Sequence, residues 1–166
     1  MAGPAPDPKD EARAVAERFY SAFARRDAEA MAACYADDAS FSDPAFPDLQ
    51  GEAVRDMWRM LCARGKDLRV EHAVTEATAE RARVEWQAWY SFSGTGRKVH
   101  NRIDAELEVR DGRIVRHRDA FDFPRWARQA LGPVGLMLGW TPFLQRKVQA
   151  QAALALERFR AAARRG

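Results

Sequence analysis

Alternating apolar and polar residues, joined by short polar turns, constrain the fold of this chain more than any other feature of its sequence. Apolar residues occupy most alternate positions in residues 84–92, 99–109 and 115–123, and a shorter alternation covers 68–74. Because every second side chain of a strand points to the same side, each stretch is predicted to be a strand with one buried face. Asp111-Gly112 separates the last two stretches and is typical of a tight hairpin turn. The pattern therefore predicts an antiparallel sheet of four strands.

Helical periodicity precedes and follows these strands. It predicts a first helix after Asp7-Pro8, a second helix that Asp27 caps and whose apolar side contains Met31, Cys34 and Tyr35, and a third helix that ends at Gly65. Between the second and third helices, residues 39–43 alternate as a short strand. Beyond the strands it predicts a short helix over 123–131, a turn or lid broken by glycine and proline, and a longer helix over 144–160. At 166 residues and 47% hydrophobic composition, the chain fits one α+β domain with a real core.

Four polar residues occupy positions where the alternation predicts buried apolar ones: Asp43, Asn101, His117 and Asp119. His117 and Asp119 are two positions apart, so their side chains share one face of a strand. Burial raises the pKa of a carboxyl group and an imidazolium lowers it, and either shift can suit proton transfer near neutral pH. Each residue also has a structural alternative. Asp43 can cap the turn at Pro44, Asn101 can satisfy a backbone group, and His117 can simply bond Asp119.

Two segments carry a resemblance to a known family. The segment from Tyr35 to Pro44, YADDASFSDP, followed by the helix after Gly51, resembles the nuclear transport factor 2-like superfamily in its SnoaL-like and ketosteroid isomerase branch. The segment 111–122, DGRIVRHRDAFD, is similar to the final hairpin and strand of that superfamily, and especially to the corresponding strand of limonene-1,2-epoxide hydrolases.

The resemblance covers about residues 10–127 and implies a cone. In this fold a curved antiparallel sheet wraps around N-terminal helices and leaves a pocket at its open end. Residues 1–9 are then expected to be a flexible tail. Residues 128–166 are expected to form a C-terminal helical extension, packed on the domain or on a dimer partner.

The resemblance also implies positions for catalytic groups. Asp43 falls where ketosteroid isomerases keep their catalytic base, whereas their oxyanion tyrosine corresponds to Phe19, with Tyr20 next to it on a different helix face. Asp119 matches one acid of the Asp–Arg–Asp arrangement of the epoxide hydrolases. The nearest match to their Arg-x-Asp pair is Arg83-Val84-Glu85, which strand parity places on the outer side of the sheet.

We therefore predict an enzyme that acts on a small, largely apolar molecule by general acid–base catalysis, as an isomerase, cyclase or epoxide hydrolase. Asp119 would be the main acid or base, His117 the partner that tunes its pKa, and Asp43 a second acid or base. The residues predicted to bind the substrate are Trp58, Trp86, Tyr90, Asn101 and Tyr20. Two alternatives stay open: a non-catalytic domain that binds a hydrophobic ligand, and a dimeric interaction module.

Sequence patterns for metals and cofactors are missing. The three histidines lack repeated ligand spacing, and no nucleotide-binding glycine motif occurs, so neither a metal nor a cofactor is predicted. Cys34 and Cys62 are predicted to be buried reduced thiols, which favours a cytoplasmic location. The start of the chain lacks the basic and apolar regions of a signal peptide.

Charge is distributed unevenly along the chain. Residues 1–63 carry 7 basic and 12 acidic side chains, whereas residues 124–166 carry 8 basic and 1 acidic. A solvated helix face is the favoured interpretation of the basic end. No nucleic-acid partner is predicted, because no aromatic residues alternate with the tail arginines. A membrane contact is the less favoured alternative; it would use Trp140 with Arg128, Arg146 and Lys147.

The last helix carries an apolar stripe. Its members are Leu144, Val148, Ala152, Ala155 and Phe159. Such a stripe can lie against the sheet or against a second subunit, and we expect a homodimer.

Overall fold

A curved sheet of six strands, open at its edges, organises the chain. The structure is a computed structural model and describes residues 3–4 and 7–166. The strands are β1 (Tyr35–Ser42), β2 (Leu49–Gln50), β3 (Arg69–Ala77), β4 (Arg81–Ser91), β5 (Lys98–Arg110) and β6 (Arg113–Ala120), and their order in the sheet is β2-β1-β6-β5-β4-β3. The helices are α1 (Glu11–Ala24), α2 (Ala28–Ala32), α3 (Glu52–Arg64), α4 (Phe123–Leu131), α5 (Pro133–Leu138) and α6 (Pro142–Arg164). The predicted α+β cone with a C-terminal helical region is confirmed.

Strands β3 to β6 form the predicted antiparallel meander. The turn between β5 and β6 has positive φ angles at Asp111 (52°) and Gly112 (73°), as a tight turn with the twist of the strands requires. Its register places Ala105 of β5 opposite Asp119 of β6. The inner face of the meander is apolar and the outer face is charged, so the alternation of the sequence becomes the two sides of the sheet.

Strand β1 lies parallel to β6, which the sequence did not predict. Phe41 is paired with His117, and the register shifts between Tyr35 and Ser40. The predicted strand began at Ala39, and Tyr35 was assigned to the apolar side of the second helix. That assignment is wrong because α2 ends at Ala32 and the chain then extends along β6. The neighbour that stabilises β1 is distant in sequence, so local periodicity carries no sign of it.

The concave side of the sheet encloses α1. This helix buries Val15, Phe19 and Phe23 and packs mainly on β3, β4 and β5. It starts later than predicted, because Pro8–Asp10 form a 3₁₀ turn in which the Asp7 side chain accepts a hydrogen bond from the Lys9 backbone. The predicted flexible tail over residues 1–9 lies partly outside the described residues.

The C-terminal region covers one end of this frame. Helix α4 has the predicted bounds, and the Asp122 side chain caps it. The stretch predicted as a turn or lid contains the short helix α5. Helix α6 runs along α3, where Arg160 Nε lies 2.9 Å from Asp56 Oδ2 and Leu156 is buried. The apolar stripe of α6 thus packs on its own chain.

Both cysteines are free and buried, as predicted. Among the described residues, no helix combines the length and the apolar character that crossing a bilayer would require.

Candidate active site

A buried chain of hydrogen bonds crosses the interior of the cone. The indole Nε1 of Trp58 donates to the hydroxyl oxygen of Tyr35 over 2.8 Å. That hydroxyl lies 2.7 Å from Nδ1 of His117, and Nε2 of His117 lies 2.9 Å from Oδ1 of Asp119. All four side chains are buried, and His117 and Asp119 are only 1% and 6% exposed. This series of hydrogen bonds connects α3, β1 and β6 through polar groups that are buried away from water.

The order of donors assigns the tautomer of His117. An indole N–H can only donate, so the Tyr35 oxygen accepts from Trp58 and gives its own proton to Nδ1. Nε2 then carries the imidazole proton and donates it to Asp119. In this arrangement each proton from Trp58 to Asp119 has an acceptor.

Aromatic rings surround His117. The ring centroids of Phe41, Phe19 and Trp58 lie 5.0, 5.6 and 5.9 Å from the imidazole centroid, the first two edge-on and the last stacked. This packing leaves no room for a ligand beside the imidazole. His117 therefore holds Asp119 in place from behind, and Trp58 belongs to the same packed interior.

Asp119 presents one anchored oxygen and one free oxygen. Its Oδ1 accepts from His117 and lies 3.5 Å from Nε1 of Trp86. Neither contact uses Oδ2. The carboxylate is thus oriented by two donors and keeps an oxygen that can take up a proton.

Tyr20 approaches the same group from α1. It follows Phe19 directly, yet both side chains are fully buried because the sheet surrounds the helix. Its hydroxyl lies 3.5 Å from Nε2 of His117. Burial raises the pKa of Tyr20 well above its usual value, and the negative charge of Asp119 adds to the shift. Tyr20 therefore keeps its proton beside the carboxylate.

Asp43 lies in the turn after β1. Its Oδ1 accepts hydrogen bonds from the backbone N–H groups of Ala45 (2.7 Å) and Phe46 (2.6 Å), so Asp43 caps this turn, as in the structural alternative to its predicted catalytic role. The pKa of Asp43 is raised from 3.8 to about 7; burial is the main cause, the charge of Asp119 contributes, and the two backbone hydrogen bonds oppose the shift. A carboxyl group with this pKa exchanges its proton near neutral pH.

Helix α6 holds the turn that carries Asp43. Nε2 of Gln145 and Nε2 of Gln149 lie 3.3 and 3.1 Å from the carbonyl oxygen of Pro44 and both donate to it. The two glutamines are one helical turn apart, so they share a face of α6. The C-terminal extension thereby fixes the backbone next to the titrating carboxyl group.

The open end of the cone is covered by α4. Nε1 of Trp126 donates to the hydroxyl of Tyr90 over 2.8 Å. Burial raises the pKa of Tyr90 to about 12, with a smaller contribution from the charge of Asp43. Tyr90 and Phe121 pack against both hydrophobic clusters of the described residues, one inside the cone and one beneath α4. A ligand that enters from this end must displace these contacts.

Asn101 lies apart from the hydrogen-bonded chain. It lines a surface hollow of about 330 Å³ at the end of β6, together with Arg102, Asp104, Ala120, Phe121, Asp122 and Arg125. A second hollow of about 250 Å³ lies on the charged outer face of the sheet. Neither is lined by Asp43 or Asp119. Arg83 and Glu85 are exposed on the outer face, as strand parity predicted, so they do not join Asp119.

Metal-binding groups do not cluster in the described part of the chain. There, no set of three or more histidine, cysteine, aspartate or glutamate side chains is arranged to hold an ion.

Tyr35 is the member of the site that sequence reasoning missed. The signal was the alternation Tyr35, Ala39, Phe41, Asp43, which continues the predicted strand backwards. Asp37 is exposed and breaks this alternation where the register between β1 and β6 shifts. Because of this break, the sequence did not indicate that Tyr35 belongs to the strand.

The stability of the protein is expected to depend on the protonation of Asp43. The folded chain keeps this proton up to pH about 7, whereas an unfolded chain releases it near 3.8. Stability should therefore fall as the pH rises through that window.

The variant Asp43→Asn tests this dependence, because its amide cannot ionise but keeps a side-chain oxygen for both backbone hydrogen bonds. We expect it to be more stable than the wild type above pH 7 and to lose this advantage toward pH 4, as measured by urea unfolding. Asp48→Asn, on the exposed part of the same loop, should show no such crossover; a pH-independent difference for Asp43→Asn would contradict the assignment.

Comparison with known proteins identifies one family and many solved structures with a similar fold. The sequence profile of the SnoaL-like domain matches residues 16–117. A comparison with curated proteins gives no significant match.

Solved structures with this fold match this chain over almost their own full length. A candidate polyketide cyclase from Xanthomonas campestris pv. campestris is 22% identical with a TM-score of 0.64, and the match covers 74% of this chain and 98% of that one. An LEH-like epoxide hydrolase from M. tuberculosis is 22% identical with a TM-score of 0.61, over 80% and 98% of the two chains. A protein with a ketosteroid isomerase-like fold from Catenulispora acidiphila, in complex with trimethylamine, is 17% identical with a TM-score of 0.61, over 77% and 97%. At these identities the likeness concerns the fold.

Proposed function

Because the chain belongs to the SnoaL-like domain family, in which a cone presents polar groups to an enclosed interior, we propose that it is an enzyme that moves protons on a small, largely apolar substrate. The observation that carries this proposal is a pair of carboxyl groups in different environments. Asp119 is oriented by a hydrogen bond from His117, whereas the pKa of Asp43 is raised to about 7, mainly by burial and in part by the charge of Asp119. Two carboxyl groups whose environments separate their protonation states are suited to act as base and acid.

Asp119 is the proposed base. Its free Oδ2 takes a proton from a substrate carbon beside a carbonyl group or from a water molecule, and a new O–H bond forms there. His117 does not touch the substrate; it is a positioning residue whose hydrogen bond fixes the orientation of the Asp119 carboxyl group.

Asp43 is the proposed acid. In its protonated form it donates to the substrate oxygen on which negative charge develops. After this step Asp119 holds a proton and Asp43 has lost one, so proton exchange between them through water restores the starting state. These two transfers are sufficient for cyclisation by carbon–carbon bond formation and for the opening of an epoxide by water. In an isomerisation they give an enol, and Asp119 then returns its proton to a different carbon while the enol oxygen returns one to Asp43. The apolar surroundings of the turn, with Phe46 and Phe121, favour a substrate that is largely hydrocarbon.

The packing of the interior supports a second candidate function. Phe41 and Trp86 are buried and Phe121 is partly buried, so aromatic rings fill the interior of the cone. The two surface hollows described above lie outside it. A dimeric interaction module needs no cavity, so the filled interior favours it over a domain that binds a hydrophobic ligand.

A thermal-shift screen with product detection separates these functions. Steroids, terpene epoxides and aromatic polyketides are tested for stabilisation, and each ligand that binds is then incubated with the protein and followed by mass spectrometry. At a hundredfold excess over its dissociation constant, a ligand stabilises the folded state by about 2.7 kcal/mol. We expect at least one class to bind and to yield product. Binding without product for every ligand would favour the binding domain, and no binding at all would favour the dimeric module.

The pH dependence of kcat/KM provides a second test of the roles. Because Asp43 donates only when protonated, kcat/KM is expected to fall as the pH rises above about 7. The residual activity of Asp43→Asn should lack this decline, since an amide has no proton to lose in that range. A decline that persists unchanged in Asp43→Asn would assign the titration to another group.

A further inference from the structure

Helix α5 turns its smallest residues toward the protein. A Cβ atom on Gly135 would collide with the backbone of Ala127, and one on Gly139 would lie 3.2 Å from the Ala127 Cβ. These two glycines are one helical turn apart, so α5 rests closely on α4 along a face without side chains.

The large side chains of this segment point outward as a consequence. They form an apolar ridge made of Val134, Leu136, Met137, Trp140 and Phe143, whose exposed fractions are 53%, 62%, 72%, 74% and 63%. A surface helix of a globular protein normally buries its apolar residues and exposes polar ones. Here the arrangement is reversed, and a contiguous exposed apolar surface of this kind marks a contact with something else.

Trp140 is held in an orientation that suits a boundary between water and hydrocarbon. Its Nε1 donates to the carbonyl oxygen of Met137 over 3.0 Å, so the polar atom of the ring is satisfied by its own chain. The apolar part of the ring stays exposed. Tryptophan beside other apolar side chains is common where a protein lies on a lipid surface.

Positive charge accompanies the ridge. Between Asp122 and Glu157 the chain carries four basic residues and no acidic one. Arg128, Arg146 and Lys147 are exposed, and none of them forms an ion pair with another of the described residues. Basic residues around an exposed apolar surface complement a membrane that contains anionic lipids.

We propose that the apolar ridge docks the protein on an anionic membrane surface. The sequence alone favoured a solvated face, because it did not show that α5 exposes these side chains. A second copy of this chain fits the ridge less well. In a two-fold dimer built on it, the ridge meets its own copy, so the basic residues of both chains approach one another and repel. This proposal is independent of the catalytic roles of Asp43 and Asp119.

Vesicle sedimentation of the full chain tests the apolar part of the proposal. The wild type is expected to sediment with phosphatidylcholine vesicles that contain phosphatidylglycerol, and much less with phosphatidylcholine alone. Met137→Ser with Trp140→Ser should weaken binding by at least about tenfold, because docking would then remove much less apolar surface from water. Leu154→Ser, which also removes an exposed leucine but from the middle of α6, should bind like the wild type. Circular dichroism confirms that each variant is folded.

Two further measurements test the role of the basic residues and the alternative that the ridge binds a second copy of the chain. Lys147→Glu should weaken binding by about fivefold or more, whereas Arg158→Glu, with the same change in net charge farther along α6, should have a smaller effect. Absence of vesicle binding, or equal binding to neutral vesicles, would overturn the proposal. A dimer in solution that Trp140→Ser dissociates would also overturn it and would assign the ridge to a second copy of the chain.

Discussion

Replacing Asp119 with asparagine is expected to lower kcat/KM for the substrate found by screening by about 10²- to 10⁴-fold. An amide cannot take up the proton that Oδ2 is proposed to accept. The substitution should leave the fold intact, because the amide oxygen can still accept the hydrogen bond from Nε2 of His117. Steady-state kinetics at pH 7 measure the effect, and unfolding in urea shows that the variant remains folded.

Asp104→Asn is the matched control for this prediction. Asp104 lies on the adjacent strand β5, paired with Ala120, but its side chain is exposed on the outer face. This variant should react at the rate of the wild type. If Asp119→Asn also kept the wild-type rate, Asp119 would have no part in the proton transfer, whereas the binding of the substrate could still be real.

Replacing His117 with alanine is expected to destabilise the protein by about 3–5 kcal/mol. The substitution removes a buried side chain between aromatic rings and leaves Asp119 and the Tyr35 hydroxyl without their main partner. A buried carboxylate that loses its donor retains the cost of desolvation. In thermal unfolding the loss corresponds to a decrease in Tm of roughly 6–20 °C for a chain of this size.

A double-mutant cycle identifies the source of that loss. In the Asp119→Asn background, His117→Ala should cost less, because the carboxylate that would be left unpaired is already neutral. His100→Ala serves as a control, since His100 is half-buried, stacks on Trp89 and bonds Gln87. It should cost clearly less than His117→Ala. Equal losses for the two histidines would show that the buried chain of hydrogen bonds contributes little.

Local patterns were sufficient to predict the meander and the helix that follows it. The alternation through β4 and β5, the hairpin at Asp111-Gly112 and the bounds of α4 all depend on residues close together in the sequence. The same alternation marked His117 and Asp119 as polar residues on an inner face, and the structure places them in contact. In these segments backbone preference and burial agree, so the sequence is enough.

Other parts of the site depend on contacts that local patterns do not contain. Tyr35 meets His117 only because β1 lies parallel to β6, and the irregular register hides its strand character. The pKa of Asp43 depends on burial and on the charge of Asp119, which belongs to another strand. Likewise, α5 exposes its apolar side chains because Gly135 and Gly139 approach α4, and composition gives no sign of that orientation.

The parallel pairing of β1 with β6 also orders the events of folding. Tyr35 and His117 are separated by 82 positions, so their hydrogen bond forms only after a long loop closes, and contacts of this kind slow folding. During synthesis on the ribosome, β1 emerges well before its neighbour exists. A nascent chain that ends before Arg113 already contains five of the six strands but leaves one edge of β1 without a partner. The arrival of β6 therefore completes the sheet and brings His117 and Asp119 to Tyr35 and Trp58 in the same event.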